Sequence, residues 1–306
     1  MSLSGWRTVT AGRASLVAPD SFKGTFSAAQ VAAAIGRGLE AAGEPPPDLC
    51  PLADGGEGTQ SVLLTALGGE TAGHLAFIED GATAIVEVAH VAGLGPDPTP
   101  EDAWNASTAP VGELIAEADG AGAEVILVCA GGSAATDGGA GCIEAAGDVR
   151  AQIVVLCDVR APFERAAAVF GPQKGADPAT VKRLAKRLDT LAATLPKDPR
   201  GVPMSGAAGG LAGGLWAALG AKLVAGAPFV LEALGYDARM RAAHAVIVGE
   251  GRLDAQTLLG KAAGEAATRA RQAGVPCFAI VGQNALDRFG ARMLDLQVVS
   301  EAPTLA

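Results

Sequence analysis

The chain has 306 residues, of which 49% are hydrophobic and 18% charged, so it carries enough apolar side chain for a sizeable core and is not a disordered composition. One large domain or two fit that length, and two are expected. A formal net charge of −10 argues against nucleic-acid and anionic-membrane partners, which need a basic face, but leaves room for an anionic metabolite held by a few local cations.

The stretch Met1-Ser2-Leu3-Ser4-Gly5-Trp6-Arg7 has no apolar core ahead of a cleavage site, so no secretory signal is read there and a cytoplasmic protein is expected. Ser15-Leu16-Val17-Ala18 reads as a short buried strand ended by Pro19. Asp20-Ser21-Phe22-Lys23-Gly24 then leads to a helix whose start is marked by a Ser27/Gln30 capping box and a Phe26/Val31 staple, with Val31, Ile35 and Leu39 on one stripe. Thr59–Leu67 is helical and closes at Gly68-Gly69. Ala76–Ile78 and Ala84–Val88 form a hairpin around Asp80-Gly81, and a helix from about Val111 feeds a strand at Glu124–Cys129.

Gln152–Cys157 is a strand ending at Asp158. The helix Pro178–Leu195 puts Val181, Leu184, Leu188, Leu191 and Leu195 on one side and Lys182, Arg183, Lys186 and Arg187 opposite, which reads as a solvated basic face. Gly206–Ala221 is mostly Gly and Ala, too short and weakly apolar for a membrane span, and reads as a loop followed by a buried helix. Ala245–Val248 is a strand running into a Gly249-Glu250-Gly251 loop, followed by a helix from about Ala255 to Ala273 and a strand at Val275–Val281. Alternating strands and helices imply an α/β fold with a mostly parallel sheet and ligands at the carboxyl ends of its strands.

Three segments mix glycine with acids at or near such ends: Asp54-Gly55-Gly56-Glu57-Gly58, Gly131 through Gly141, and Gly249 through Asp254. Glycine lets a backbone approach a ligand and expose N–H groups to phosphate, and neighbouring carboxylates suit Mg²⁺. Asp54 and Glu57 can hold the metal or cap the following helix. In the second segment Ser133, Thr136 and Asp137 offer hydroxyls and an acid for ligand binding directly after a buried strand. In the third, Arg252 can brace a phosphate or carboxylate, or pair internally with Asp254. Lys23, between a strand and a helix amino terminus, suits phosphate or is an ordinary loop lysine, and Asp158 is a candidate general base or metal ligand.

Phe170-Gly171-Pro172-Gln173-Lys174-Gly175 is a turn carrying one cation. Gly260-Lys261 lacks the Ser or Thr of a P-loop, and Gly249-Glu250-Gly251 lacks the third glycine of a dinucleotide turn. Cys50, Cys129, Cys142, Cys157 and Cys277 have no C-x-x-C spacing and are expected to be buried, reduced thiols. His74, His90 and His244 lie far apart in sequence, without zinc-ligand spacing, and are expected to be structural.

Taken together, these motifs resemble the type I glycerate kinase family. Ala18-Pro19-Asp20-Ser21-Phe22-Lys23-Gly24 is similar to its opening signature, followed in family order by Pro51 through Thr59, Gly131 through Gly141, and Cys157-Asp158-Val159. Phe170 through Ala176, Gly206 through Gly210, and Gly249 through Thr257 complete the pattern, so it runs through most of the chain. Against the family pattern the chain lacks sequence near Gly73-His74, near Gly147-Asp148-Val149, and beyond Ala306, where a final helix is expected.

The resemblance implies ATP- and Mg²⁺-dependent phosphorylation of D-glycerate, with 2-phosphoglycerate the family's usual product. It also implies a discontinuous Rossmann-like α/β domain, assigned to residues 1–70 and 236–306, and an inserted second α/β domain at 71–235, with the site in the cleft between them. By residue chemistry, Lys23 and Lys261 are expected to stabilise the transferring phosphate, and Asp54, Glu57 and Asp254 to hold Mg²⁺. Asp20, Ser21, Ser133, Thr136 and Asp137 would contact nucleotide or glycerate, Arg252 the glycerate carboxylate, and Asp158 would serve as general base. A kinase of another small hydroxy acid and a metabolite-binding sensor on the same scaffold are the alternatives. The oligomeric state is left open, a homo-oligomer included.

Overall fold

A computed structural model describes residues 13–302. Its strands, in chain order, are β1 (Leu16–Pro19), β2 (Asp48–Leu49), β3 (Glu70–Ala72), β4 (Leu75–Ile78), β5 (Thr83–Glu87), β6 (Val125–Cys129), β7 (Gln152–Cys157), β8 (Lys222–Ala225), β9 (Val246–Leu253), β10 (Cys277–Asn284) and β11 (Leu296–Glu301). They form a five-stranded sheet, ordered β11-β10-β9-β1-β2, and a six-stranded sheet, ordered β3-β4-β5-β6-β7-β8. The chain divides into two compact units, one made of Met1–Pro51, Gly235–Leu258 and Ala263–Ala306, the other of Leu52–Leu234 and Leu259–Ala262.

The first unit is a doubly wound, wholly parallel sheet drawn from both ends of the chain. From β1 the chain winds outward to β2, and from β9 it winds the opposite way to β10 and β11, so strand order reverses between β1 and β9. Ligands of open α/β sheets bind at such a reversal, beyond the carboxyl ends of the strands. Val17 and Ile247 from the two central strands pack with Phe22, Val31, Ala32 and Ile35. The helix Ala28–Ala41 supplies Val31, Ala32 and Ile35, and it starts where the Ser27/Gln30 capping box closes in both directions.

In the second unit β3, β4 and β5 are antiparallel neighbours, and β5 to β8 are parallel. The central strands are apolar on both faces, as a sheet covered twice must be. Val86, Val128 and Val155 point to a cluster that includes Ile115, Cys142 and Leu211, whereas Ile85, Leu127 and Leu156 point to the opposite face with Leu63. The two regions where the chain is short against the family pattern are closed turns: Ala72 pairs directly with Leu75 across Gly73, and Gly147 ends a helix five residues before β7. Among the described residues no helix is long and apolar enough to cross a membrane.

Two sequence expectations change. Gly249-Glu250-Gly251 is not a loop but the middle of β9, because pairing with β10 runs on to Leu253 opposite Asn284. Cross-strand hydrogen bonding there outweighs the turn preference of the glycines. The following helix accordingly begins at Ala262 rather than near Ala255, after a short 3₁₀ turn at Thr257–Leu259.

Candidate active site

In the first unit, Pro19 lies opposite Gly249, and the Asp20 N–H donates to the Gly249 carbonyl at 2.8 Å, carrying the chain across the end of the sheet. Phe22 and Phe26 exchange backbone hydrogen bonds at 2.8 and 3.0 Å, and the buried Phe22 ring anchors this tight loop in the core. Lys23 therefore sits on an exposed turn at the carboxyl end of β1. The glycines of β9 make the crossing feasible: a Cβ on Gly251 would stand 3.3 Å from the Phe22 Cα, and one on Gly249 2.7 Å from the Ile280 carbonyl oxygen.

Asp20 is buried, and its Oδ1 accepts from the Ser21 N–H at 2.6 Å. The Ser21 hydroxyl is buried with no hydrogen-bond partner among the described residues, a state a polar ligand would relieve. On β9 the buried Glu250 accepts from the Thr257 hydroxyl at 2.7 Å, and that hydroxyl accepts from the Asp254 N–H at 3.1 Å. Asp254 Oδ1 accepts from the Gln256 N–H at 2.8 Å, and its Oδ2 lies 3.6 Å from Arg252 Nε. The internal Arg–Asp pair thus forms, with the Arg252 side chain 62% exposed.

In the second unit, the carboxyl ends of β6 and β7 meet the turn Asp54–Gly58. The Gly56 and Gly131 backbones touch, and a Cβ on Gly131 would lie 2.5 Å from the Gly56 Cα. Two carboxylates flank this contact. Asp54 Oδ1 accepts from the Gly56 N–H at 3.2 Å, and Asp158 Oδ2 stands 3.3 Å from where the Gly131 Cβ would be. Glu57, three residues beyond Asp54, is exposed.

Neither Asp54 nor Glu57 supplies the hydrogen-bonded cap of helix Thr59–Leu67. That role belongs to Glu87 at the end of β5, fully buried, which accepts from the Gly58 N–H at 2.7 Å and the Gln60 N–H at 3.0 Å. His90 lies 3.3 Å from the same carboxylate. The His74 and His90 rings, distant in sequence, stand 6.4 Å apart, while His244 touches Arg13 and Ser15.

The segment Gly131–Gly141 is tied down from several sides. The Ser133 hydroxyl accepts from the Ala135 N–H at 3.2 Å. Thr136 is buried with its hydroxyl unpartnered among the described residues, and its carbonyl accepts from Arg187 Nη2 at 2.6 Å. Asp137 accepts from the Thr108 N–H and hydroxyl at 2.9 and 2.8 Å, from the Gly139 N–H at 3.0 Å and from the Gly141 N–H at 3.3 Å. Its visible task is to clamp the loop and the start of helix Ala140–Ala146, which leaves little of the carboxylate for a ligand.

Lys174 closes the arrangement. Its ammonium is buried and donates to the Ala135 carbonyl at 2.6 Å. Burial pushes its pKa down to about 8, while the charges of Asp158 and Asp137 act in the opposite direction. Lys261 is half-buried immediately ahead of helix Ala262–Ala273.

Among the described residues no three His, Cys, Asp or Glu side chains gather into a metal cage. Mg²⁺ does not need one, because it takes one or two carboxylates and completes its shell with water and substrate phosphate. The turn bearing buried Asp54 and exposed Glu57, against a bare glycine–glycine contact where phosphate could approach, fits that requirement.

A model of the glycerate kinase family matches residues 15–150 and 148–301. The chain belongs to the glycerate kinase family. Its relatives include a glycerate kinase of Halalkalibacterium halodurans, 36% identical over 87% of this chain and 84% of that protein. The glycerate 2-kinase of Escherichia coli K12 is 34% identical over 87% and 84% of the two chains. Among solved structures, a candidate glycerate kinase 2 of Salmonella typhimurium LT2 superposes with a TM-score of 0.75 at 32% identity, covering 95% of this chain and 90% of the other. The family is one of phosphotransferases whose acceptor is an alcohol group, and the mixed, mostly parallel α/β architecture agrees with it.

For this glycerate kinase family member, sequence reasoning missed the tasks of Glu87 and Arg187 and treated Lys174 as part of a plain turn. Glu87 left a signal: an acid inside the apolar run Ala84–Val88, where a buried charge needs partners. The solvated reading of the basic helix face holds for exposed Lys182 but not for Arg187, which is half-buried and donates to the carbonyls of Trp104 and Thr136.

Proposed function

We propose that the protein transfers the γ-phosphoryl group of ATP to the C2 hydroxyl of D-glycerate, giving 2-phosphoglycerate and ADP. The observation that carries this reading is the Gly56–Gly131 backbone contact flanked by the carboxylates of Asp54 and Asp158. Such a place admits a phosphate to main-chain distance beside acids that serve a metal and a hydroxyl. The family membership and the names of the relatives support the substrate.

In the proposed reaction the glycerate hydroxyl oxygen bonds to the γ-phosphorus as the bond from that phosphorus to the ADP oxygen breaks, and the hydroxyl proton passes to Asp158. Because such transfers proceed through a loose, charge-rich transition state, positioning and electrostatics do most of the work. Asp54, with Glu57 from the same turn, would hold Mg²⁺, which when bound neutralises phosphate charge. Lys23 and Lys261 stabilise the transferring group. Arg252 exchanges its exposed Asp254 partner for the glycerate carboxylate, and Asp20 with the unpartnered Ser21 hydroxyl binds substrate at the β1–β9 reversal. Ser133 and Thr136 help present the main chain of their loop.

A coupled ADP-release assay with ATP, Mg²⁺ and D-glycerate tests the proposal, with enolase added to detect the 2-phospho product. Glycerate-dependent ADP release followed by enolase turnover is the expected result. No release with D-glycerate would overturn the proposal, release with a different hydroxy acid would reassign the substrate, and product that enolase cannot use would reassign the phosphorylated position.

A further inference from the structure

A second cavity, of about 670 Å³, opens in the second unit between helix Pro178–Ala192 and the connection through Trp104 to Ser107. Its chemistry is cationic, in a chain whose net charge is −10. Arg183, Lys186 and Arg187 occupy positions i, i+3 and i+4 of the helix and all line it. Both guanidinium groups lie over the Trp104 ring, their central carbons 3.9 and 4.7 Å from its centroid. The aromatic face holds the two guanidiniums in place, and Arg187 is fixed further by the carbonyls of Trp104 and Thr136 at 2.9 and 2.6 Å.

These cations are under-neutralised. The acid among the lining residues is Asp137, and its carboxylate already accepts from four donors of the glycine loop. Arg187 Nε is buried and has no hydrogen-bond acceptor among the described residues. Two planar forks and an ammonium, pre-organised on an indole and backed by apolar wall, match the oxygen geometry of a phosphate and lower the ordering cost of binding one.

We propose that this cavity binds a phosphorylated small molecule through its phosphate group, separately from the phosphoryl-transfer site proposed above. Arg183 and Lys186 contact the phosphate, and Arg187 links the cavity to the loop Gly131–Gly141 through the Thr136 carbonyl.

The test uses the full chain with Trp6→Phe and Trp216→Phe, which leaves Trp104 as the only fluorophore of its type. Pyrophosphate is titrated in metal-free buffer at constant ionic strength. A saturable change in Trp104 emission is expected, with its midpoint raised at least tenfold by the double substitution Arg183→Gln, Lys186→Gln and left in place by Lys23→Ala. Both substituted side chains are exposed, so the double variant should keep the parent melting temperature. No saturable change, an unchanged midpoint in the folded double variant, or loss of the signal in Lys23→Ala would each overturn the proposal. Turnover of glycerate, measured separately, bears only on the function proposed above.

Discussion

The Lys174 ammonium donates to the carbonyl oxygen of Ala135 at 2.6 Å, so a buried cation from the turn after Phe170 holds the glycine loop that follows β6. The charge also acts on Asp158, the proposed base. Lys174→Met is expected to lower kcat by about tenfold or more, the scale set by misplacing groups at a phosphoryl-transfer site, with KM for ATP much less affected. Steady-state kinetics on the purified variant checks it.

The same lysine gives a pH dependence of definite sign. Its pKa falls from 10.5 to about 8 on folding, so between those values the unfolded chain binds the proton and the native chain does not. Stability contributed by this group therefore rises with pH from about 8 to about 10.5, by up to about 3 kcal/mol at ~1.4 kcal/mol per pH unit. Turnover should do the reverse and decline above about pH 8 as the ammonium is lost. Urea unfolding and activity profiles of wild type against Lys174→Met separate the two, because the variant should lack both limbs.

Gly131→Ala would put a methyl group 2.5 Å from the Gly56 Cα, a clash with main chain that no rotamer relieves. A loss of about 1–3 kcal/mol is expected from forcing the two backbones apart, together with weaker phosphate approach. Thermal unfolding and activity should fall together.

Asp137→Asn distinguishes a clamp from a ligand. The carboxylate accepts from four donors, whereas an amide offers one oxygen, so at least one buried N–H or hydroxyl loses its acceptor. About 2–4 kcal/mol of stability should disappear, on the scale of hydrogen bonds to a buried charge. An unchanged melting temperature with a raised KM would instead make Asp137 a substrate contact.

Asp54→Asn and Asp158→Asn should both reduce turnover, for different reasons. For Asp158 a fall in kcat of about 100-fold is expected from removing a general base, with substrate KM nearly unchanged. For Asp54 the Mg²⁺ concentration giving half-maximal rate should rise at least about tenfold, since a buried carboxylate ligand is lost. Activity of Asp158→Asn close to wild type would remove it from the mechanism.

All five cysteines are free and buried, and burial raises their pKa values, to about 11 for Cys50 and about 12 for Cys142 and Cys277. At pH 8 the native protein should react with a thiol reagent only as fast as it opens, and all five thiols should react at once in denaturant. A fast-reacting native thiol would contradict the packing around it.

Local features of the chain were legible before any coordinates. Apolar runs, the Ser27/Gln30 box and the glycine stops located strands, helices and loops, because periodicity and capping act over a few residues. The ordered motifs likewise pointed to the family. What the acids do was not legible, because their partners lie far along the chain: Glu87 meets Gly58 and Gln60, Asp137 meets Thr108, and Lys174 meets Ala135. Glu250 became part of a strand because β10 continues beside it. The sequence by itself determined the alternation of elements, the burial of its thiols and the family pattern, all of which rest on short-range chemistry. Only the tertiary structure decided which carboxylates cap, clamp or flank a glycine contact, since a buried charge takes its role from whichever donors the fold brings within hydrogen-bonding distance.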